Sequence, residues 1–102
     1  MTRLLVLYNQ PADAAAFDCY YFETHVPLAR KIPGLRSYTV NSGAPNLVAG
    51  GPLPYLVAEL EFDSMAAVQA AMGSAEGQAT AADLANFAHT GATILAFDTR
   101  SL

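Results

Sequence analysis

The sequence has few charged residues, a single cysteine and no long apolar run. Charged residues make up 14% of the 102 positions, and the five Lys and Arg residues form no cluster in a chain whose net charge is −4. Because nucleic acids and anionic membrane surfaces bind clustered cations, neither is an expected partner. The apolar run Leu4–Leu7 is too short for a signal peptide or a membrane-spanning helix.

The scarcity of cysteine also limits cofactors and location. Cys19 alone cannot form an intramolecular disulfide or a thiolate cage, so a reducing, cytoplasmic location is predicted. The two histidines lie far apart without nearby carboxylates at ligand spacing, so no metal site is expected. No Gly-x-Gly-x-x-Gly or Walker-type loop is present, and no cofactor is predicted.

The sequence is, by contrast, rich in apolar residues. They make up 53% of a chain that has the length of one ordinary domain, so a single domain over residues 1–102 is predicted. Small domains usually cover their surface with charge. The composition therefore favours burial of some apolar surface against a second copy of the chain.

The apolar pattern predicts the element order β-α-β-β-α-β. The predicted strands are Thr2–Asn9, Leu35–Ser42, Tyr55–Phe62 and Ala92–Thr99. Helix one is predicted to follow the N-cap Asp13 and to end near Arg30 or Lys31, with a kink or restart just after His25 because Pro27 removes a hydrogen bond. The second helical region begins at Asp63 or Ser64, breaks near Gly73, restarts at Ser74 and stops before Gly91.

This order is that of the ferredoxin-like α+β fold, with a four-stranded antiparallel sheet and both helices on one face. Symmetric pairing of the opposite sheet faces would form a barrel-like homodimer. Residues 43–54 are dense in Gly and Pro but include Leu47, Val48 and Leu53. They are predicted to form a loop that packs on some surface, as lids and binding arms do.

Motifs in both halves of the sequence resemble the EthD family of ethyl tert-butyl ether degradation proteins. They are Phe17-x-x-Tyr20-Tyr21-x-x-x-His25-x-Pro27-Leu28 followed by Pro33-Gly34-Leu35, then Phe62-x-Ser64-x-x-Ala67, Ser74-x-Glu76 and Asp83-Leu-x-Asn-Phe87. The resemblance implies a dimeric α+β barrel, a homodimer and a pocket between helices and sheet. Relatives in the wider superfamily act mostly on small aromatic or apolar compounds, and EthD members are often labelled reductases. The long segment 43–54 departs from the family pattern.

The candidate site lies along helix one. His25 is predicted at the edge of the apolar stripe, where a neutral imidazole can exchange a proton with a ligand. Tyr21 is predicted to donate a hydrogen bond to a carbonyl or enolate oxygen. The predicted ligand-binding residues are Phe17, Tyr20, Tyr38 and Leu28. Alternatively, His25 bonds a backbone carbonyl near Pro27 while the tyrosines fill the core.

Other polar residues are weaker candidates. His89 is predicted in a last helical turn, where the helix dipole favours an imidazolium in any protein. Glu59 and Glu61 alternate away from the helix-facing side of their strand, and Asp98 lies on the last strand. These carboxylates either orient a ligand or pair with Arg3, Arg36 or Arg100, and pairing is the favoured interpretation.

Two functions remain open at this level. One is a cofactor-free enzyme of isomerase, cyclase or oxidoreductase type acting on a small hydrophobic or aromatic molecule. The alternative is a non-catalytic binding or accessory protein that supports an oxygenase pathway. A purely structural dimer module would be favoured if side chains filled the pocket.

Overall fold

A computed structural model describes all residues, 1–102, and contains four strands and four α-helices. In chain order these are β1 (Thr2–Tyr8), α1 (Ala14–Tyr20), a π turn (Tyr21–His25), α2 (Val26–Ala29), β2 (Ser37–Val40), β3 (Leu56–Phe62), α3 (Met65–Gly73), α4 (Ala75–Phe87) and β4 (Ala92–Asp98). The longest helix has 13 residues, and none is long and apolar enough to cross a membrane.

The four strands form one antiparallel sheet in the order β2-β3-β1-β4. Strands β1 and β3 alternate strictly between buried and half-buried residues, as a strand with one covered face must. The helices cover the face that carries Leu4, Val6, Leu60 and Phe62, and these side chains belong to the hydrophobic core. The predicted ferredoxin-like α+β fold is confirmed.

The second predicted strand is shorter than expected, since β2 spans only Ser37–Val40. In the loop that follows, the apolar residues differ in exposure. Leu53 is half-buried, but Val48 is 97% exposed and Leu47 is exposed as well. Proline has no N–H to donate to a ladder and glycine is entropically unfavourable in a strand, so this segment does not extend the sheet, and its tip is exposed.

Helix one is divided as predicted after His25, but the break is a π turn. The N–H of Val26 donates to the carbonyl of Tyr21, five residues earlier. Pro27 has no N–H and crowds the carbonyl four residues before it, and a wider turn relieves that crowding. Because a π turn rotates less per residue, every fourth residue stays on one face, and the buried positions are Phe17, Tyr21, His25 and Ala29.

Helices α3 and α4 are joined by one residue, Ser74. Its hydroxyl accepts from the N–H of Gly77 at 3.0 Å and caps α4, as the sequence predicts. Gly77 is buried against the end of α3, and a Cβ there would lie 2.0 Å from the carbonyl oxygen of Ala71. Glycine is therefore needed at position 77 for the two helices to pack this closely.

The face of the sheet opposite the helices is not covered. Strand register places Arg3 between Glu61 and Phe97, and Leu5 between Glu59 and Leu95. Arg3 forms ion pairs with both Glu59 and Glu61, so the pairing interpretation of these carboxylates is confirmed. Other pairs differ from those expected: Arg36 pairs with Asp63, and Asp98 accepts a hydrogen bond from Thr2.

We predict that Gly77→Ala destabilises the fold by about 1–3 kcal/mol, because the added methyl group forces α4 away from α3. Chemical denaturation followed by circular dichroism measures the change. Gly73→Ala is the matched control, since a Cβ at Gly73 meets no neighbouring atom. An unchanged unfolding free energy for Gly77→Ala would show that the two helices can separate without loss of stability.

Candidate functional site

A cavity of about 60 Å³ lies between the helices and the sheet, where the sequence predicts a pocket. Its wall is mainly apolar and includes Leu4, Val6, Ala58, Leu60, Met72, Leu84 and Ile94. The polar side chains of the wall belong to Tyr8, His25, Tyr38 and Thr80. No lysine or arginine lines this cavity. Side chains do not fill it, so the fold leaves space beside His25.

His25 ends the π turn and is 3% exposed. Its Nδ1 lies 2.9 Å from Oδ2 of Asp83 on α4. The ring also packs on Phe87, with 4.7 Å between ring centroids. His25 therefore bonds a buried carboxylate 58 residues away in sequence, and not a backbone carbonyl near Pro27.

Asp83 is 7% exposed and accepts three hydrogen bonds. Besides His25, the donors are the hydroxyl of Tyr20 at 2.6 Å and the amide of Asn86 at 2.9 Å. Burial raises the pKa of Asp83, but hydrogen bonds from Tyr20, Asn86 and His25 outweigh it and hold the pKa below the ordinary value of 3.8. Asp83 is therefore a carboxylate at neutral pH.

The charge on Asp83 fixes the tautomer of His25. Burial lowers the pKa of His25 below its ordinary value of 6.5, although the hydrogen bond and charge of Asp83 partly oppose this shift. A neutral imidazole beside a carboxylate keeps its proton on Nδ1, since only that nitrogen can donate to the acceptor. Nε2 then carries a free lone pair. It has no protein hydrogen-bond partner, and it is partly accessible to solvent.

Tyr21 lies one turn before His25 and is fully buried. Its hydroxyl is 2.5 Å from the hydroxyl of Tyr38 on β2, and burial raises the pKa of both phenols. Tyr38 lines the cavity, whereas Tyr21 does not. The structure thus brings three of the predicted site residues together, with Tyr21 behind Tyr38.

The other predicted ligand-binding residues lie around the network of hydrogen bonds formed by His25, Asp83, Tyr21 and Tyr38. Phe17 stacks on Tyr21 within the core, and Tyr20 stacks on Phe87 while its hydroxyl bonds Asp83. Phe17 and Tyr20 also line an open depression of about 310 Å³ on the helix side. Leu28 is half-buried and lines neither space.

The remaining candidates stand apart from the cavity. His89 lies two residues beyond the end of α4, is exposed, and borders the open depression with Tyr20. Cys19 is exposed beside Glu23, and the hydrogen bond to that carboxylate raises the pKa of the thiol. Neither residue has a geometry that adds to the site around His25.

Two residues of this site were not singled out by sequence reasoning. Asp83 belongs to a motif quoted above but was given no role, because its partners are 58 and 63 residues away. The spacing of Asp83, Asn86 and Phe87 places them on one face of a predicted helix, and this spacing could have indicated Asp83. Tyr8 lies on the helix-facing side of β1, where strand alternation could have indicated it.

Comparisons with known proteins agree with this architecture. The model of the EthD domain family matches residues 9–91. A Rhodococcus erythropolis protein described as an uncharacterized 11.0 kDa protein in the thcB-thcC intergenic region is 43% identical over 98 residues. These residues cover 96% of this chain and 94% of that protein.

Solved structures extend the comparison. An EthD family protein of Bacillus halodurans is 38% identical, with a TM-score of 0.87 over 98% of this chain and 99% of its own. A dimeric ferredoxin-like protein of unknown function from Thermobifida fusca is 17% identical, with a TM-score of 0.68 over 96% and 90%. SnoaB, a cofactor-independent oxygenase of Streptomyces nogalater, is 15% identical, with a TM-score of 0.65 over 99% and 93%. The last two share the fold.

We predict that Asp83→Asn lowers the pKa of His25, because burial of the imidazole remains while the carboxylate that opposes its effect is lost. Titration of the His25 ring resonances by NMR measures the shift. In Tyr20→Phe, the matched control, Asp83 keeps its charge and His25 keeps its pKa or gains slightly. An equal His25 pKa in wild type and Asp83→Asn would contradict the pairing.

Proposed function

Because this chain belongs to the EthD family, we propose that it binds a small hydrophobic or aromatic molecule in the helix-sheet cavity and that His25 exchanges a proton with that molecule. The observation that carries the proposal is the state of the His25 ring. One nitrogen is held by a buried carboxylate, and the other has no protein partner on a side chain that lines a mostly apolar cavity. A base in such a place is oriented before a ligand arrives.

Asp83 supports the proposed proton transfer in two ways. It keeps the His25 proton on Nδ1, so Nε2 remains available as the acceptor. When Nε2 takes a proton, the imidazolium gains a charged partner 2.9 Å away. The same geometry lets His25 return the proton at another atom of the ligand. The base-catalysed forms of isomerisation, cyclisation and cofactor-free oxygenation begin with removal of such a proton from carbon or oxygen.

The hydrogen-bonded pair of Tyr21 and Tyr38 gives the proposed site a hydrogen-bond donor. If Tyr21 donates to the oxygen of Tyr38, the hydroxyl of Tyr38 is free to donate into the cavity. The stabilisation of a developing oxyanion, predicted for Tyr21, then falls to Tyr38 directly, and Tyr21 positions it. Phe17 packs on Tyr21 and Tyr20 packs on Phe87, so these two side chains support the network from the core. Leu28 lines neither space and has no role in this proposal.

The volume of the cavity limits the size of the ligand. A cavity that holds benzene measures roughly 150 Å³, whereas this one measures about 60 Å³. Entry of a ring therefore requires movement of wall residues. Met72 and the half-exposed Ile94 lie on the wall away from His25's own helix. The flexible side chain of Met72 is suited to such movement.

We expect the protein to accelerate exchange of the α-protons of cyclopentanone, a small enolisable ketone, with D₂O, because Nε2 can remove them. His25→Ala should lower this rate about 100-fold or more, the usual contribution of a general base. Proton NMR follows the exchange, and His89→Ala, a histidine outside the cavity, is the matched control.

Equal exchange rates for wild type and His25→Ala would exclude the proposed base. The binding-only alternative has its own signature in native mass spectrometry of the gently purified protein. A stoichiometric bound compound that stays unchanged over time, together with no exchange of cyclopentanone, would establish a binding or accessory protein.

The proposed partner is a second copy of the chain, bound through the uncovered sheet face. Leu95 and Phe97 are 40% and 37% exposed there, which is unusual for large apolar residues of a small domain. Arg3 lies on the same face with a buried Nε that has no partner, and Glu59 and Glu61 lie beside it. A two-fold axis would bring such mixed charges of two copies into complementary contact. The Thermobifida fusca neighbour is described as dimeric.

The charge of the chain bears on other partners and on location. The net charge of −4 and the absence of a cation cluster in the sequence disfavour nucleic acid and anionic membranes. The single exposed Cys19 suits a reducing cytoplasm.

We predict that Leu95→Lys converts a dimer into a monomer, because a charge would be buried in the interface. Light scattering at micromolar concentration measures the mass. Ala70→Lys, on the exposed side of α3, is the control and should leave the dimer intact. A monomeric wild type, or a dimeric Leu95→Lys, would exclude this interface.

A further inference from the structure

Tyr8 differs from the other four tyrosines of the chain. The hydroxyls of Tyr20, Tyr21, Tyr38 and Tyr55 all have protein hydrogen-bond partners. The hydroxyl of Tyr8 has none, although the residue is only 2% exposed. Buried tyrosine hydroxyls ordinarily find a partner, and one left without any lowers stability.

Tyr8 lies among the residues that line the cavity. Tyr8 ends β1 on the helix-facing side and lines the cavity with His25. Its ring and that of His25 pack on the same two rings, Tyr21 and Phe87. Because Tyr8 lines the cavity and its hydroxyl has no protein partner, a ligand in the cavity is the candidate partner for that hydroxyl.

The chemistry of the two free groups is complementary. Burial raises the pKa of Tyr8, and the nearby Tyr38 and Asp83 add to the rise, so the phenol keeps its proton and donates. Nε2 of His25 accepts. A ligand atom between them must therefore accept one hydrogen bond and donate another, which a hydroxyl oxygen does.

Charged ligands fit this site poorly. Neither lysine nor arginine lines the cavity, and Asp83 lies directly behind His25, so a carboxylate or phosphate would be repelled and left unpaired. Asp83 already accepts three hydrogen bonds, so it offers little to a cation. The apolar remainder of the wall suits a hydrocarbon body.

We propose that Tyr8 and His25 together bind the hydroxyl oxygen of a small phenol or enol, with Tyr8 donating to that oxygen and Nε2 accepting its proton. This inference rests on the proposed function and names its ligand class. When the proton passes to Nε2, the negative charge stays on the ligand oxygen, where the Tyr8 hydroxyl stabilises it. No other reactant takes part in this step.

Titrations with 4-fluorophenol and fluorobenzene, followed by ¹⁹F NMR, test the inference. In Tyr8→Phe, binding of 4-fluorophenol should weaken about 3- to 10-fold, the usual effect of one lost hydrogen bond. Binding of fluorobenzene should not change, since it has no hydroxyl. Tyr55→Phe, whose hydroxyl bonds Asp18 outside the cavity, is the control and should bind both probes as wild type does.

The possible failures are distinguishable. If Tyr8→Phe binds 4-fluorophenol as tightly as wild type while His25→Ala binds it more weakly, the role of Tyr8 is excluded and the proposed function stands. If wild type binds neither probe, the ligand class and the proposed function both fail.

Discussion

The arrangement of the helices depends on the hydrogen bonds that the buried carboxylate of Asp83 accepts. This carboxylate joins α4 to α1 through Tyr20 and to the π turn through His25, and Asn86 completes its hydrogen bonds within α4. A buried charge without such donors would destabilise the fold by several kcal/mol. The loss of one donor would cost about 1–3 kcal/mol, because desolvation of the carboxylate would then not be fully compensated. The helices therefore stay in the one arrangement that supplies all three donors. That arrangement is also the one that orients His25.

The π turn makes this arrangement possible from the side of helix one. In a regular α-helix, His25 would lie about 40° further around the axis than Tyr21. Underwinding between Tyr21 and His25 keeps the two on the same face, so one reaches Tyr38 on the sheet and the other reaches Asp83 on α4. Pro27 favours the wider turn, since it can neither donate to Glu23 nor tolerate close approach of that carbonyl. By favouring the π turn, Pro27 thus helps to place His25 in the wall of the cavity.

Most of the fold could be predicted because local patterns specify it. The alternation in β1 and β3 and the caps Asp13, Ser64 and Ser74 are readable within a few residues. The site was predicted only in part, because its hydrogen bonds join residues far apart in sequence. His25 stood out as a lone imidazole on a helix, but nothing near Asp83 in an alanine-rich helix indicates its partner. The composition of residues 43–54 predicts a packed loop, but composition does not specify the surface on which such a loop packs, and Val48 is exposed in this chain.

The cavity contains two polar groups, on Tyr8 and His25, that have no protein hydrogen-bond partner. Tyr8 and His25 could each be replaced by an apolar ring of similar size, which would remove an unpartnered hydroxyl and an unpartnered lone pair. Left fully buried, each such group would cost about 1–3 kcal/mol, against a total stability of about 5–15 kcal/mol for an ordinary domain. Here both atoms keep some contact with solvent, which reduces that cost. The two groups share one cavity and have opposite hydrogen-bonding roles, so a single oxygen atom can satisfy both. Core packing alone would favour neither residue, and the oxygen of the proposed ligand would satisfy both.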